Sequence, residues 1–175
     1  MSQSKISEEV PGGKPSSINR SSTDTDAIAL LIQDHRDVKK LFVSYQELVQ
    51  SRASPAERLS IATEICEALA LHATVEEEIF YPAMRAAAED AQDELDEAEV
   101  EHATVKELIA QIKAMDPDEE LYDAKVKVLG EYVDHHVQEE EDEMFPKAEQ
   151  SDLDLDEMGQ QISARKEELQ SLELQ

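Results

Sequence analysis

Residues 72–82 read HATVEEEIFYP and residues 136–146 read HVQEEEDEMFP. In both, a Glu follows a His by four residues and a Pro closes the stretch ten residues after that His. The register pairs His72, Glu76 and Pro82 with His136, Glu140 and Pro146, and it also aligns Glu77 with Glu141 and Tyr81 with Phe145. On a helix, positions i and i+4 lie one above the other on one face. Each stretch therefore directs an imidazole nitrogen and a carboxylate the same way. Two such helices facing each other make a nest of four ligands for a metal ion.

Apolar periodicity extends outward from these stretches. A first helix is predicted over 26–50, with Thr23, Asp24 and Thr25 as candidate N-caps and a stripe of Ile28, Leu31, His35, Val38, Phe42, Tyr45 and Val49. A second begins at Ser54-Pro55-Ala56-Glu57, a capping box with Pro at the first helical position, and runs to 88 with a kink at Pro82. Its stripe passes through Ile61, Ile65, Leu69, His72, Glu76, Ile79/Phe80 and Ala83. A third covers 92–115, with His102 on its stripe. A fourth starts at the Asp116-Pro117-Asp118-Glu119 signal and ends at 147, with His136 and Glu140 inward. Residues 151–175 form either a short fifth helix or a loosely held tail.

Long amphipathic helices with short turns predict an all-α, antiparallel up-down-up-down four-helix bundle. His35 lies 18 residues before the turn near residue 53 and His72 lies 19 after it, which puts both at one height. His102 and His136 match if their turn spans 115–121. The expected domain spans 25–149. Residues 1–24, rich in Ser, Thr, Gly, Pro and Lys, read as a disordered N-terminal tail, and 150–175 as a C-terminal helix or tail.

Composition narrows the function. A formal charge of -26 disfavours nucleic acid and anionic membrane surfaces as partners. Nothing reads as a transmembrane run or a secretory signal, and a lone Cys66 on an apolar helical run reads as a buried filler in a reducing cytoplasm. Each of the four stripes carries one His, and two also carry a Glu. Unpaired buried carboxylates cost several kcal/mol against the roughly 5–15 kcal/mol that hold such a fold together. Bound cations remove that penalty. The donors are all N and O, which disfavours thiolate-type metal sites, and six of them are too many for one tetrahedral zinc. They suit two ions with Glu76 and Glu140 as bridges.

With those residues in place, the sequence resembles the hemerythrin-like, or HHE cation-binding, family. The carrying features are Asp34-His35, the HxxxEE…YP of 72–82, Glu101-His102 and the HHxxEEE…FP of 135–146. The resemblance covers about residues 26–148. It implies a non-heme di-iron centre with His35, His72, Glu76, His102, His136 and Glu140 as ligands to two iron ions bridged by an oxo or hydroxo group. Manganese and zinc rank behind iron. One departure is Lys106, where invertebrate hemerythrins carry a further His; this shifts the expectation from oxygen carriage to binding of a small diatomic or peroxide by a sensor, scavenger or peroxide-detoxifying protein. The alternatives are an iron buffer or storage protein without turnover and a metal-free helical interaction module.

Other residues are weighed against this set. Tyr45 and Tyr132 are possible substitute ligands but are expected in ordinary packing. His135 is expected exposed or behind the ligands. Glu77 and Glu141 are expected to point outward, with Glu77 able to orient a ligand His. The single Glu99-x-x-His102 pair matches ferritin-type spacing on one helix where that family needs two.

Overall fold

The structure, a computed structural model, describes residues 26–173, and all the regular structure among them is helical. The expected tail at 1–24 and the N-cap candidates Thr23, Asp24 and Thr25 lie outside the described residues. Asp26 is the cap that forms: its Oδ1 accepts the Ala29 N–H at 2.8 Å, opening α1 (Ala27–Gln50). The second start is as expected. Ser54 Oγ accepts the Glu57 N–H at 3.3 Å and Glu57 Oε2 accepts the Ser54 N–H at 2.9 Å, opening α2 (Pro55–Val75).

The predicted kink at Pro82 resolves into a different feature. A π-helical turn, Glu76–Phe80, precedes α3 (Tyr81–Ala87), with Pro82 in the first turn of α3. Proline has no N–H, and its ring collides with the carbonyl four residues back in a regular helix. The ladder slips just upstream instead: the Tyr81 N–H bonds to the Glu76 carbonyl, five residues back. After a 3₁₀ turn at Glu89–Ala91 come α4 (Gln92–Lys113) and α5 (Tyr122–Glu139). A second π turn, Glu140–Met144, then leads into α6 (Phe145–Gln150), with the Phe145 N–H on the Glu140 carbonyl. The repeat in sequence is thus a repeat in backbone.

Two expectations shift. The Asp116-Pro117-Asp118-Glu119 signal forms a turn rather than a helix start. Glu119 Oε1 accepts the Asp116 N–H at 2.8 Å, and the helix begins only at Tyr122. The C-terminal segment is neither short nor loose: α7 (Leu155–Glu173) packs on α1, α2 and the first π turn, burying Met158 and Ile162. Leu172, near the end of α7, is exposed.

α1 packs against α2 and α5, and α4 packs against α5 and α2. The apolar interior falls into two clusters. One holds Leu31, Phe80, Met84, Leu95, Met144 and Ile162. The other holds Val38, Ile65, Leu69, Val105, Leu129 and Val133. Along α1, α2 and α4 the chain crosses from one cluster to the other at His35, His72 and His102, and after His136 on α5 it crosses by the second π turn, where Met144 joins the first cluster. The polar residues therefore form a layer between two dry cores. No helix among the described residues is long and apolar enough to cross a membrane.

Candidate metal centre

All six sequence-predicted residues meet in that layer. His35, His72, His102, His136, Glu76 and Glu140 are buried, Glu76 to 0% and Glu140 to 1% exposure. The imidazoles form two facing pairs. His35 Nε2 lies 3.1 Å from His72 Nε2, and His102 Nε2 lies 3.1 Å from His136 Nε2. The carboxylates link the pairs. Glu76 Oε1 is 3.1 Å from His72 Nε2 and its Oε2 is 3.4 Å from His102 Nε2. Glu140 Oε2 is 3.3 Å from His35 Nε2 and 3.5 Å from His136 Nε2.

Behind each ring stands a carboxylate. The Nδ1 atoms of His35, His72, His102 and His136 lie 2.8, 3.0, 2.9 and 2.7 Å from Glu141, Asp34, Glu77 and Glu101. A carboxylate accepts only, so each Nδ1 donates and each Nε2 is left to point inward. Glu141, expected to face outward, turns to hold His35, and Glu77 orients His102. Asp34 and Glu101 immediately precede His35 and His102 in sequence, but each serves a His on a neighbouring helix.

Four inward Nε2 atoms and two carboxylates concentrate negative potential in a dry layer. Burial would depress the His72 imidazole, but Glu76, Asp34 and Glu140 outweigh it and hold the group up to about 10. His35 and His102 are raised in the same way, burial being overcome chiefly by Glu140 and by Glu76 respectively. Burial would raise the Glu76 carboxyl, but His72 and His102 hold it well below the usual carboxylate range. The layer demands positive charge, as protons or as metal. Glu76 Oε1 and Glu140 Oε2 are buried and face only the histidine Nε2 atoms of the layer. Such atoms are costly unless something else meets them. His35, His72, Glu76 and Glu140 could hold one ion, and Glu76, His102 and His136 a second. An all-N/O donor set, each His oriented from behind by a carboxylate, fits a pair of borderline or hard cations. Cys66 is buried in the second apolar cluster and belongs to neither group.

A seventh side chain enters the layer. The Tyr81 hydroxyl donates to Glu140 Oε1 at 2.7 Å and lies 3.2 Å from His102 Nε2 and 3.4 Å from His136 Nε2. Burial, with Glu76 and Glu140 beside it, pushes the phenol well above its ordinary value, so it remains a donor. The tyrosines singled out from the sequence do not join. Tyr45 donates to Asp123 at 2.6 Å in the second apolar cluster, and Tyr132 is 46% exposed. His135 is exposed and lies 3.2 Å from Glu101. Lys106 turns away from the layer and donates to Glu77 at 2.6 Å. Glu99, on the surface, pairs with Arg85.

Beside the rings, a cavity of about 20 Å³ is walled by apolar atoms of Val38, Leu69, Ala73, Val105, Val133 and others, next to all four histidines. That volume admits one water-sized molecule.

An all-helical fold with paired His-x-x-x-Glu segments at its centre defines the class, and comparison places the chain within it. Residues 26–148 match the hemerythrin HHE cation binding domain, and the chain belongs to that family. A crystal structure of a hemerythrin HHE cation binding domain-containing protein from Mycobacterium kansasii is similar to it at a TM-score of 0.70 and 25% identity, covering 85% of this chain and 90% of that one. A DNA nickase from Nostoc sp. is 34% identical over 114 residues, which are 64% of this chain and 30% of the relative. The chain thus spans under a third of the nickase.

Proposed function

We propose that this is a non-heme di-iron protein that binds O2, NO or peroxide, as a sensor, scavenger or peroxide-detoxifying protein of the cytoplasm. In this reading the helices form the antiparallel up-down-up-down bundle, and residues 25–149 make the metal-binding domain. His35, His72, Glu76 and Glu140 face one ion, and His102, His136, Glu76 and Glu140 face the other. The observation that carries the reading is the pair of 3.1 Å Nε2–Nε2 approaches, with every Nδ1 held by a carboxylate. Each ion would take about four protein donors, and an octahedral ion keeps positions open for a small ligand.

Iron held there supplies redox and ligand-binding capacity. The residues of this chain supply the rest. The four carboxylates fix ring orientation and tautomer. Phe80, Phe145, Leu31 and the opposite apolar cluster exclude bulk water. Tyr81 keeps a proton at its hydroxyl, within reach of the His102/His136 half. The 20 Å³ cavity favours a diatomic or peroxide over anything larger. DNA nicking is not carried over from the Nostoc relative, because a chain of charge -26 repels phosphate.

Titration of the iron-loaded protein with azide, nitric oxide and hydrogen peroxide tests this. Ligand-dependent absorption changes are expected. Stable iron with no spectral response to any of the three would favour the rival reading, an iron buffer or store without turnover.

A further inference from the structure

Helix α7 lies beyond the residues that match the family, yet it reaches the site. Its adjacent cations Arg165 and Lys166 each take a carboxylate that matters there. Arg165 donates to Glu78 at 2.7 and 3.1 Å, inside the π turn that starts at Glu76. Lys166 Nζ donates to Asp34 Oδ2, the same oxygen that accepts the His72 Nδ1–H. The Lys166 side chain is only 16% exposed, so water screens its charge weakly.

A parallel chain occurs in the other half. Lys106 donates to Glu77 Oε1, which also accepts from His102 Nδ1. In each facing pair, then, one histidine hangs on a carboxylate shared with a lysine. The other two, His35 on Glu141 and His136 on Glu101, hang on carboxylates that take no lysine among the described residues. Lys106 is about half exposed, so the more enclosed Lys166 exerts the stronger pull.

We propose that Lys166 is a positioning residue for the metal centre, acting on His72 through Asp34. A carboxylate that accepts an imidazole N–H makes the opposite nitrogen a stronger donor to metal. The ammonium draws on the same oxygen and weakens that effect. His72 is thereby held as a weaker donor, which favours the reduced ion. This role rests on the two-iron reading above.

The test is the midpoint potential of the iron-loaded full chain, measured by spectroelectrochemical titration, for the parent, Lys166→Gln, Lys166→Arg and Asp34→Asn. Lys166→Gln is expected to lower the potential, Lys166→Arg to keep the parent value, and Asp34→Asn to raise it while weakening iron retention by about 10–100-fold. Thermal melting of each metal-free variant separates a general loss of fold from an effect on the centre. With two irons in the parent, a Lys166→Gln potential that stays put, or that moves upward as for Asp34→Asn, overturns the role of Lys166 alone. A parent that takes up no iron pair sinks the two-iron reading, and this role with it.

Discussion

The Tyr81 hydroxyl donates to Glu140 Oε1 at 2.7 Å, joining one His-x-x-x-Glu segment to the other across the polar layer. Tyr81→Phe keeps the ring and removes the donor. The metal-free variant is expected to lose about 1–3 kcal/mol, because a buried carboxylate oxygen is left without its partner. The iron-loaded variant should retain two ions but respond to azide or peroxide with altered affinity. Urea unfolding and ligand titration check the two effects; a variant matching the parent in both would remove Tyr81 from the site.

Glu76 and Glu101 make opposite kinds of contribution. Glu76 faces His72 with one oxygen and His102 with the other, whereas Glu101 only orients His136 from behind. Glu76→Gln is expected to abolish uptake of both ions. Glu101→Gln is expected to weaken one by about 10–100-fold and leave the other in place. Iron per chain, measured after dialysis against a chelator, distinguishes the two patterns.

The metal-free protein should lose stability as pH rises. His72 titrates near 10 in the fold against 6.5 for the free group. Its contribution is therefore fully present below 6.5 and is lost as pH rises through about 10, on the order of a few kcal/mol. Metal binding runs the other way, since each coordinating Nε2 must shed its proton. Between pH 7 and about 9 the metal-free midpoint in urea should fall while iron affinity climbs. Parallel slopes for the two would contradict the shared site.

Val105 lines the small cavity, three residues past His102. Val105→Phe fills it at a cost of about 1–3 kcal/mol from overpacking. Iron content should persist while nitric oxide and azide bind at least about tenfold more weakly, a loss of roughly 1.4 kcal/mol. Unchanged ligand affinity would mean that ligands reach the ions by another route.

The helices and the six polar positions were legible in the sequence because both follow from periodicity. A His or Glu on an apolar stripe is inward by the same geometry that makes Leu inward. Tyr81 was not legible as part of the site. The unbroken stripe runs His72, Glu76, Ile79/Phe80, Ala83; the slip ahead of Pro82 rotates the chain by one residue, so that Phe80 is the buried member of its pair and Tyr81 and Met84 turn in where Ala83 was expected. Two Pro residues at equal spacing after the Glu hinted at a disturbance, without saying that it would take the form of a π turn. The partners Asp34, Glu101 and Glu141 were hidden for another reason. Each acts on a different helix, so no spacing along the chain encodes the pairing. The same holds for Lys166, which is 132 positions from Asp34 in a helix of weak amphipathic pattern.

The central claim is tested most directly by the metal content of the purified chain, read together with its near-ultraviolet absorption. Two irons per chain with charge-transfer bands that disappear in a His72→Ala variant are the predicted result. A colourless protein that carries zinc, or that takes up no metal after reconstitution with ferrous iron, would contradict it.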